Sequence, residues 1–247
     1  HFLLCLTLLT PLELLWPAAR TAQPVVLGRP GLRTDLIYFV LNATLLRLCM
    51  ATVLTLLSAP LSVVVPVGVR SALGGQPIWL QLIQIVLLSE ALGYLAHRLS
   101  HAVPFLWRFH AVHHSNVALD WLAAHRQHPL EAIWLLSLAN LPVLIFGFSF
   151  EPLYGLILLQ KLHTAFVHAN VRIGWGRLTL LIASPQFHHH HHENRQDARN
   201  FASLLPIFDR LFGSYRLPDG FPAEYGIDTP MPDGYFAQLK QPFRRRD

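Results

Sequence analysis

Charged residues are scarce in this sequence. They make up 13% of the 247 residues, while 53% are hydrophobic, and a soluble globular domain usually carries about a quarter charged residues. The net charge of +5 is not gathered into the basic soluble face that a nucleic-acid-binding protein presents. The composition therefore indicates a membrane protein and excludes nucleic acid as a partner.

Cysteine is rare as well, with two residues in the whole sequence. Cys5 and Cys49 lie in apolar segments and form no CxxC or other metal-binding spacing, so we expect buried thiols. The sequence also has no HExxH peptidase motif and no GxGxxG or haem-binding motif. These absences leave zinc hydrolysis unsupported and indicate that reducing equivalents come from another protein.

Apolar runs recur along the chain, and a helix that crosses a bilayer needs about 17–25 apolar residues. The runs cover residues 36–66, 78–96, 130–150 and 153–167. We interpret the first as one long span or as a span with a bend at Pro60. Glu151 and Pro152 are interpreted as the tight turn of a helical hairpin, because proline disfavours helix in the residue before it. The pattern predicts an all-α, multi-pass membrane protein with about four transmembrane helices.

The placement of arginines predicts the orientation. Arg20, Arg29 and Arg33 precede the first long span, and basic residues concentrate on the cytoplasmic side of membranes. The alternation of spans then places every histidine from 97 to 192 at the cytoplasmic face, as the C-terminal FRRRD also suggests. We expect residues 1–247 to form one integral membrane domain, in a bacterial inner membrane or the endoplasmic reticulum, with a cytoplasmic, histidine-rich helical cap. The apolar stretch FLLCLTLLTPLELLW could belong to a further membrane segment or be signal-like.

The histidines fall in ordered clusters, of which the first is SEALGYLAHRLSH. In it Glu90, Tyr94, His97 and His101 follow one another at intervals of four, three and four. Those intervals place all four on one stripe of a helix. A glutamate within a membrane span is costly and rarely faces lipid, so this stripe should face the protein interior. Glu90 and Tyr94 are candidates to orient the two histidines, although helix packing explains the tyrosine about equally well.

Two further clusters share the spacing i, i+3, i+4. They are His110, His113 and His114 in FHAVHHS, and His188, His191 and His192 in FHHHHHE. On a helix these positions form one patch, so the three imidazoles of a cluster can point at a common ion. Pro104 breaks the helix between the first two clusters and lets the second fold back. In the run of five histidines, His189 and His190 would face the opposite side.

Eight histidines are too many for one ion, which takes about four to six ligands, so the clusters imply two metals. His168 is a further candidate because it ends the last predicted span, and His128 in RQHPLE is another. His163 lies about 140° around a helix from His168, and His125 is interpreted as an interfacial polar residue. A lone histidine is usually structural.

Imidazole suits iron, zinc, copper and nickel. A di-iron centre at a membrane surface would suit O2 activation on a lipid. The alternative is a histidine-rich protein for metal transport or metal binding, without oxygenase activity. In that protein we would expect polar ligands along a path within the spans rather than clusters at one face.

The ordered clusters resemble those of the fatty acid hydroxylase/sterol desaturase superfamily, which are membrane di-iron oxygenases. The resemblance runs over residues 90–227 and includes HRLSH, PFLWRFHAVHHS, RQHPLE, HANVRIG, SPQFHHHHHE and NFASLLPIFDRLFGSYRLP. The boxes HxxxH, HxxHH and HxxHH occur in that order. Glu90 stands where the family usually has aspartate, and HAN replaces the commoner HSN.

This resemblance implies four membrane helices beneath a cytoplasmic cap that holds two iron ions. It implies O2-dependent hydroxylation or desaturation of a membrane lipid, such as a fatty acyl chain or a sterol. The external electron donor would be cytochrome b5 or a ferredoxin-type protein. The metal ligands that it implies are His97, His101, His110, His113, His114, His128, His168, His188, His191 and His192. Asn170, Asn200 and Asp209 are expected to cap turns or, as the alternative, to hydrogen-bond the histidines of the cap.

Overall fold

The computed structural model describes residues 2–18, 28–42, 44 and 47–244, and within these ranges the chain is helical and has no β-strand. The helices are α1 Phe2–Leu15, α2 Leu32–Leu41, α3 Arg47–Ser62, α4 Val67–Gly74, α5 Ile78–Ala102, α6 Pro104–His114, α7 Pro129–Ile145, α8 Phe150–His168, α9 Pro185–His191, α10 Ile207–Leu211 and α11 Tyr235–Lys240. An isolated β-bridge joins Glu193 to Tyr225. The predicted all-α class is confirmed. Arg20 and residues 245–247, which entered the orientation prediction, lie outside the described residues.

Helix α5 is the longest described helix, with 25 residues. Its mean hydropathy of 1.6 and its length suffice to cross a membrane, and it is the one helix of the described ranges that meets both conditions. Shorter apolar helices lie at Phe2–Leu15, Thr52–Ser62 and Pro129–Ile145. The predicted span 78–96 coincides with α5, which continues to Ala102 and carries the first histidine cluster near its end. Around it pack α6, α7 and α8.

Within the apolar run 36–66 the structure describes two helices, α2 and α3, and residues 43, 45 and 46 between them lie outside the described residues. Helix α2 ends well before Pro60, and α3 continues through this proline for two more residues. The end of α2 is at Asn42, whose side-chain amide donates to the carbonyl oxygens of His125 at 3.3 Å and Gln127 at 3.0 Å. These two hydrogen bonds tie the end of α2 to a segment far along the chain.

The hairpin of α7 and α8 turns at residues 146–149. The prediction of a turn at Glu151 and Pro152 is wrong by a few residues, because both lie in the first turn of α8. A proline there removes no helical hydrogen bond, since the first N–H groups of a helix have no intrahelical partner. Gly147 adopts φ +80° in the turn, and a Cβ atom on it would lie 3.1 Å from the Cβ of Arg70. Glycine meets both constraints.

The two cysteines differ in environment. Cys5 is buried and Cys49 is exposed, so the expectation of two buried thiols is correct for Cys5 alone. Cys5 packs in an apolar cluster with Trp121, Leu122 and Ala165. This cluster joins α1 to α8 and to the segment before α7.

Residues 103–128 and 169–244, which carry most of the histidines, are called the cap here, and they begin with a corner between α5 and α6. Helix α5 ends at Ala102, Val103 is extended, and α6 begins at Pro104, as the sequence predicts. Beyond α8 the chain forms short helices and irregular segments. Helix α9 starts after Ser184, whose Oγ accepts a hydrogen bond from the Phe187 N–H at 3.2 Å. That N-cap fixes the start of the helix that carries the run of histidines.

Candidate metal centre

Nine histidine side chains converge in two neighbouring groups, and within each group the candidate ligand nitrogens lie within 4.8 Å of one another. Group 1 consists of His97, His101, His110, His114 and His191, and group 2 consists of His113, His168, His188 and His192. The three sequence clusters and the histidine at the end of α8 therefore meet in space.

Helices α6 and α9 each contribute to both groups. In α6, His110 and His114 belong to group 1 and His113 belongs to group 2. His188 in α9 and His192, which follows its last residue, belong to group 2, and His191 belongs to group 1. Successive side chains point about 100° apart on a helix, so the i+3 residue diverges from its neighbour at i+4. The expectation that the three imidazoles of such a cluster would share one ion is wrong, because each of the two clusters with the i, i+3, i+4 spacing is divided between the groups.

Hydrogen bonds to the outer ring nitrogens fix the tautomer of several of these histidines. The Nδ1 atoms of His97, His113, His168 and His191 lie 2.7, 3.0, 2.7 and 2.7 Å from the carbonyl oxygens of Phe201, Arg126, Thr164 and Arg199, respectively. A carbonyl oxygen only accepts, so each Nδ1 carries the proton and donates. The Nε2 atom of each neutral ring then offers a lone pair to the interior of its group.

The inward-facing nitrogens approach one another closely. The Nε2 atom of His110 lies 3.1, 2.9 and 3.1 Å from the Nε2 atoms of His97, His101 and His114. In group 2 the Nε2 atom of His168 lies 3.2 Å from that of His113 and 3.1 Å from that of His188.

Such contacts identify what each group can hold. Between His113 and His168 both Nδ1 atoms carry the ring proton, so two lone pairs face each other at hydrogen-bond distance with no proton between them. This arrangement is repulsive unless a cation lies among the nitrogens. The donor set of imidazoles alone fits a transition metal ion such as iron or zinc.

Burial keeps the imidazoles of the cap neutral. Desolvation lowers the pKa of His113 to about 4, although its hydrogen bond to the Arg126 carbonyl acts in the opposite direction. Desolvation also lowers the pKa of His188 and His192 well below the ordinary value. All three rings are therefore uncharged at neutral pH, which is the form that binds a metal ion.

The two groups are adjacent. The rings of His114 in group 1 and His192 in group 2 stack with their centroids 4.4 Å apart. The ring of His191 in group 1 lies 5.3 Å from the rings of both His188 and His192 in group 2. Ions in the two groups would be neighbours, as in a two-metal centre.

A carboxylate that the sequence did not single out supports group 1. Glu131 is buried, and one of its oxygens accepts a hydrogen bond from the Nδ1 of His110. A carboxylate in this position orients a metal-binding imidazole and raises its basicity. Glu131 could have been identified from the motif RQHPLE, since an acidic residue at the start of a strongly apolar helix needs a buried partner.

Replacing Glu131 by glutamine is expected to weaken metal binding at group 1 by about 10–100-fold. The amide oxygen can still accept the hydrogen bond from His110, but it carries no charge to raise the basicity of the ring. The measurement is iron retained by the purified protein against a competing chelator. Glu224→Gln, which alters an exposed carboxylate, is the matched control. Equal retention in the two variants would contradict a role for the Glu131 charge.

Glu90 and Tyr94 both contact residues of the segment 204–214. Glu90 accepts hydrogen bonds from the Leu204 N–H at 2.8 Å, the Leu205 N–H at 3.2 Å and the Gln160 side chain at 2.9 Å. The Tyr94 hydroxyl lies 2.8 Å from the Oγ of Ser214, and its ring stacks on Phe212. No hydrogen bond among the described residues joins either side chain to the histidines of α5. The two residues therefore fasten the cap to α5 rather than orienting its imidazoles directly.

Three other candidate histidines lie outside both groups. His128 caps α7, with its Nδ1 accepting from the Leu130 N–H at 3.2 Å, and its Nε2 lies 3.2 Å from the Leu239 carbonyl oxygen. His125 packs edge-on against Phe39, and His163 is buried in α8. The structure does not bring His128 to the metal centre, because both of its ring nitrogens form hydrogen bonds with backbone atoms.

The remaining histidines of the run hold the cap together. His189 lies 2.8 Å from the Tyr225 hydroxyl through Nδ1 and 3.0 Å from the Ala169 carbonyl oxygen through Nε2. The Nε2 of His190 lies 3.3 Å from the Gly220 carbonyl oxygen. Both point away from the two groups, as the helical spacing predicts.

Asp209 and Asn200 organise the loop that orients His97. The Asp209 carboxylate accepts from the N–H groups of Phe201 and Ala202, each at 2.8 Å. Asn200 adopts φ +60°, and its side chain donates to the Phe187 carbonyl oxygen at 2.9 Å. Asp209 thus holds the backbone beside the Phe201 carbonyl oxygen that contacts His97, while Asn200 links Phe187 to Arg216, which are distant along the chain. Asn170 is buried beside α8, and its backbone N–H donates to Glu13 at 3.0 Å.

Comparisons with known proteins agree with this geometry. Residues 82–214, more than half of the chain, match the fatty acid hydroxylase family model. The chain is 32% identical to an ornithine lipid hydroxylase of Rhizobium tropici, over 68% of this chain and 53% of that protein. It is 30% identical to the alkylglycerol monooxygenase of Homo sapiens and 28% identical to that of Danio rerio, over 56% of this chain and 31% of each relative.

The chain thus spans about half or less of the length of these relatives. No solved structure matches it. The family match includes the segments that carry all nine histidines of the two groups. The chain belongs to the fatty acid hydroxylase family.

Proposed function

We propose that this chain is a membrane-bound, O2-dependent hydroxylase that acts on a lipid. The observation that carries the proposal is the convergence of nine imidazoles in two adjacent groups. The substrate class is supported by the relatives, of which one is named for hydroxylation of an ornithine lipid and others for monooxygenation of alkylglycerols. Both names describe insertion of oxygen, so hydroxylation is favoured over desaturation.

We propose that group 1 and group 2 each hold one iron ion. Group 1 offers five candidate nitrogens and group 2 offers four, and imidazole is a common ligand of iron. Bound iron would supply the reduction of O2 and the oxidation of an unactivated C–H bond, chemistry that side chains alone do not perform. The residues of the chain hold the ligands in place, through Glu131 on one side of the centre and backbone carbonyl oxygens on the others.

Hydroxylation needs electrons from outside the active site. The balanced reaction is R–H + O2 + 2 e⁻ + 2 H⁺ → R–OH + H2O. This sequence contains neither a GxGxxG nor a haem-binding motif. We therefore propose an external one-electron donor of the cytochrome b5 or ferredoxin type.

The proposed topology has four spans beneath the histidine cap. Helices α3, α5, α7 and α8 would cross the bilayer, since α7 packs on both α3 and α5, and α5 also packs on α8. Exposed leucines on three of them, Leu56, Leu87 and Leu158, are suited to contact with lipid. The cap would lie on the cytoplasmic side as part of a single domain. Because Glu90 binds cap residues from within α5, it would hold the cap against the bundle and limit the entry of water.

Iron analysis and oxygen labelling test the proposal. We expect the purified chain to hold about two iron ions. Cells that produce the chain under 18O2 should accumulate a lipid with one 18O atom, detected by mass spectrometry. Cells that produce the His113→Ala variant should not accumulate it. A chain that holds iron while no lipid gains 18O would contradict the proposed hydroxylation.

A further inference from the structure

A polar cleft of about 1090 Å³ opens onto group 1 from the cap. Three histidines of this group, His101, His114 and His191, line it. The other walls include the end of α5, α6, and residues 193–199 and 226–229. The volume is that of a small-molecule site, and the histidines give any molecule in the cleft direct access to the proposed iron at group 1.

The walls of the cleft carry more positive than negative charge. They include the arginines Arg98, Arg108, Arg195, Arg199 and Arg244 and the acidic residues Glu193, Asp197 and Asp228. All three acids have partners. Glu193 forms an ion pair with Arg216 at 2.9 Å, Asp197 forms one with Arg195 at 2.9 Å, and Asp228 accepts a hydrogen bond from the Asn194 amide at 2.9 Å.

Three of the arginines, Arg98, Arg108 and Arg244, form no ion pair with any residue that the structure describes, and the first two lie on α5 and α6. Arg98 donates to the Tyr94 hydroxyl at 3.1 Å and to the Phe212 carbonyl oxygen at 3.4 Å, both of which are neutral acceptors. Arg108 is exposed on α6. Guanidinium groups bind phosphate and carboxylate with paired hydrogen bonds, so these two arginines are suited to an anion inside the cleft.

The surroundings of the cleft place it at the surface of a bilayer. Arg98 lies close to the end of the apolar helix α5, one turn beyond Leu95, which is 47% exposed. Phe105, one turn before Arg108 on α6, is 63% exposed, and Phe212, whose carbonyl oxygen binds Arg98, is 58% exposed. Apolar and aromatic side chains beside arginines at the end of a span are typical of the headgroup level of a membrane.

We propose that this cleft binds the anionic head group of the lipid substrate, through Arg98 and Arg108. The inference rests on the proposed function and adds the class of lipid: one that carries a phosphate or carboxylate at its head. Because the histidines of group 1 line the cleft, a head group bound there places the first carbon atoms of the lipid next to the metal centre. The carbon that is oxidised then lies close to the head group rather than at the far end of a chain.

Competitive lipid binding tests the proposal without requiring turnover. Full-length, iron-loaded protein in a neutral detergent is mixed with equal amounts of phosphatidylglycerol and an uncharged galactolipid of the same acyl chains. Native mass spectrometry reports the ratio of the two lipids bound. We expect the unmodified protein to favour phosphatidylglycerol and the double variant Arg98→Gln/Arg108→Gln to lose about tenfold or more of that preference.

The matched control is Arg172→Gln/Arg177→Gln, because these arginines are also exposed but lie outside the cleft. This variant should keep the preference, and all three proteins should hold equal iron. A cleft variant with the unmodified preference would overturn the proposal. If that variant were also reduced more slowly by an acidic donor protein, the cleft would instead be a docking site for the donor. Absence of iron from every protein would contradict the proposed function, while the lipid ratio would still report on the cleft.

Discussion

The iron content of the His113→Ala variant is expected to fall from about two ions per chain to about one, with lipid hydroxylation lost. His113 belongs to group 2, which has four candidate nitrogens, so its removal leaves three. Loss of a residue that only orients a ligand lowers metal affinity about 10–100-fold, and loss of the ligand itself should exceed that range. Iron per chain, measured by mass spectrometry of the purified protein, checks the expectation.

The five nitrogens of group 1 provide an internal comparison. His101→Ala leaves four of them, so this variant should retain more iron than His113→Ala. His190→Ala is the matched control from the histidine run, because this ring lies outside both groups and contacts the Gly220 carbonyl oxygen. It should keep the full iron content. If His113→Ala also kept it, the assignment of His113 to a metal group would be wrong.

The sequence predicted the features of the site that depend on local spacing. The intervals of three and four residues placed the histidines of α6 and α9 on common helix faces, and the structure brings those faces together. Pro104 marked the corner between α5 and α6 because its ring fixes the backbone and removes a donor. His168 followed from the position of the last apolar run. These predictions needed no knowledge of distant partners.

The features that the sequence did not reveal depend on contacts between distant segments. His128 has the same side chain as the group members, but its position before α7 turns its ring towards backbone atoms. The end of α2 is tied by Asn42 to residues more than eighty positions away. The division of the second and third clusters between two groups depends on how α6 and α9 face each other. Spacing along one helix does not determine that relation.

The segment before the family match also reaches the metal centre, through a buried network of charges. Asp35, at the start of α2, accepts from Arg29 and from Arg126, each at 2.5 Å. Arg29 also binds Asp120 at 2.8 Å. The backbone carbonyl oxygen of Arg126 is the acceptor that holds the Nδ1 of His113 at 3.0 Å. Asp35 thus fixes the residue whose backbone orients a group 2 histidine.

Replacing Asp35 by asparagine is expected to lower the free energy of unfolding by about 3–5 kcal/mol. The change leaves two buried guanidinium groups, on Arg29 and Arg126, with Asp120 as the one remaining carboxylate of the network. In a chain of this size the expected decrease in melting temperature is about 10 °C. Fluorescence-detected thermal unfolding of the purified protein in detergent measures it.

The matched control for this substitution is Asp197→Asn. Asp197 pairs with Arg195, but its side chain is 51% exposed, and an exposed pair contributes about 0–1 kcal/mol. Equal melting temperatures for the two variants would contradict the importance of the buried network. If Asp35 also acts through Arg126 on His113, the Asp35→Asn variant should lose iron from group 2 before group 1 during chelation. A purely structural role would lower the melting temperature and leave the order of iron loss unchanged.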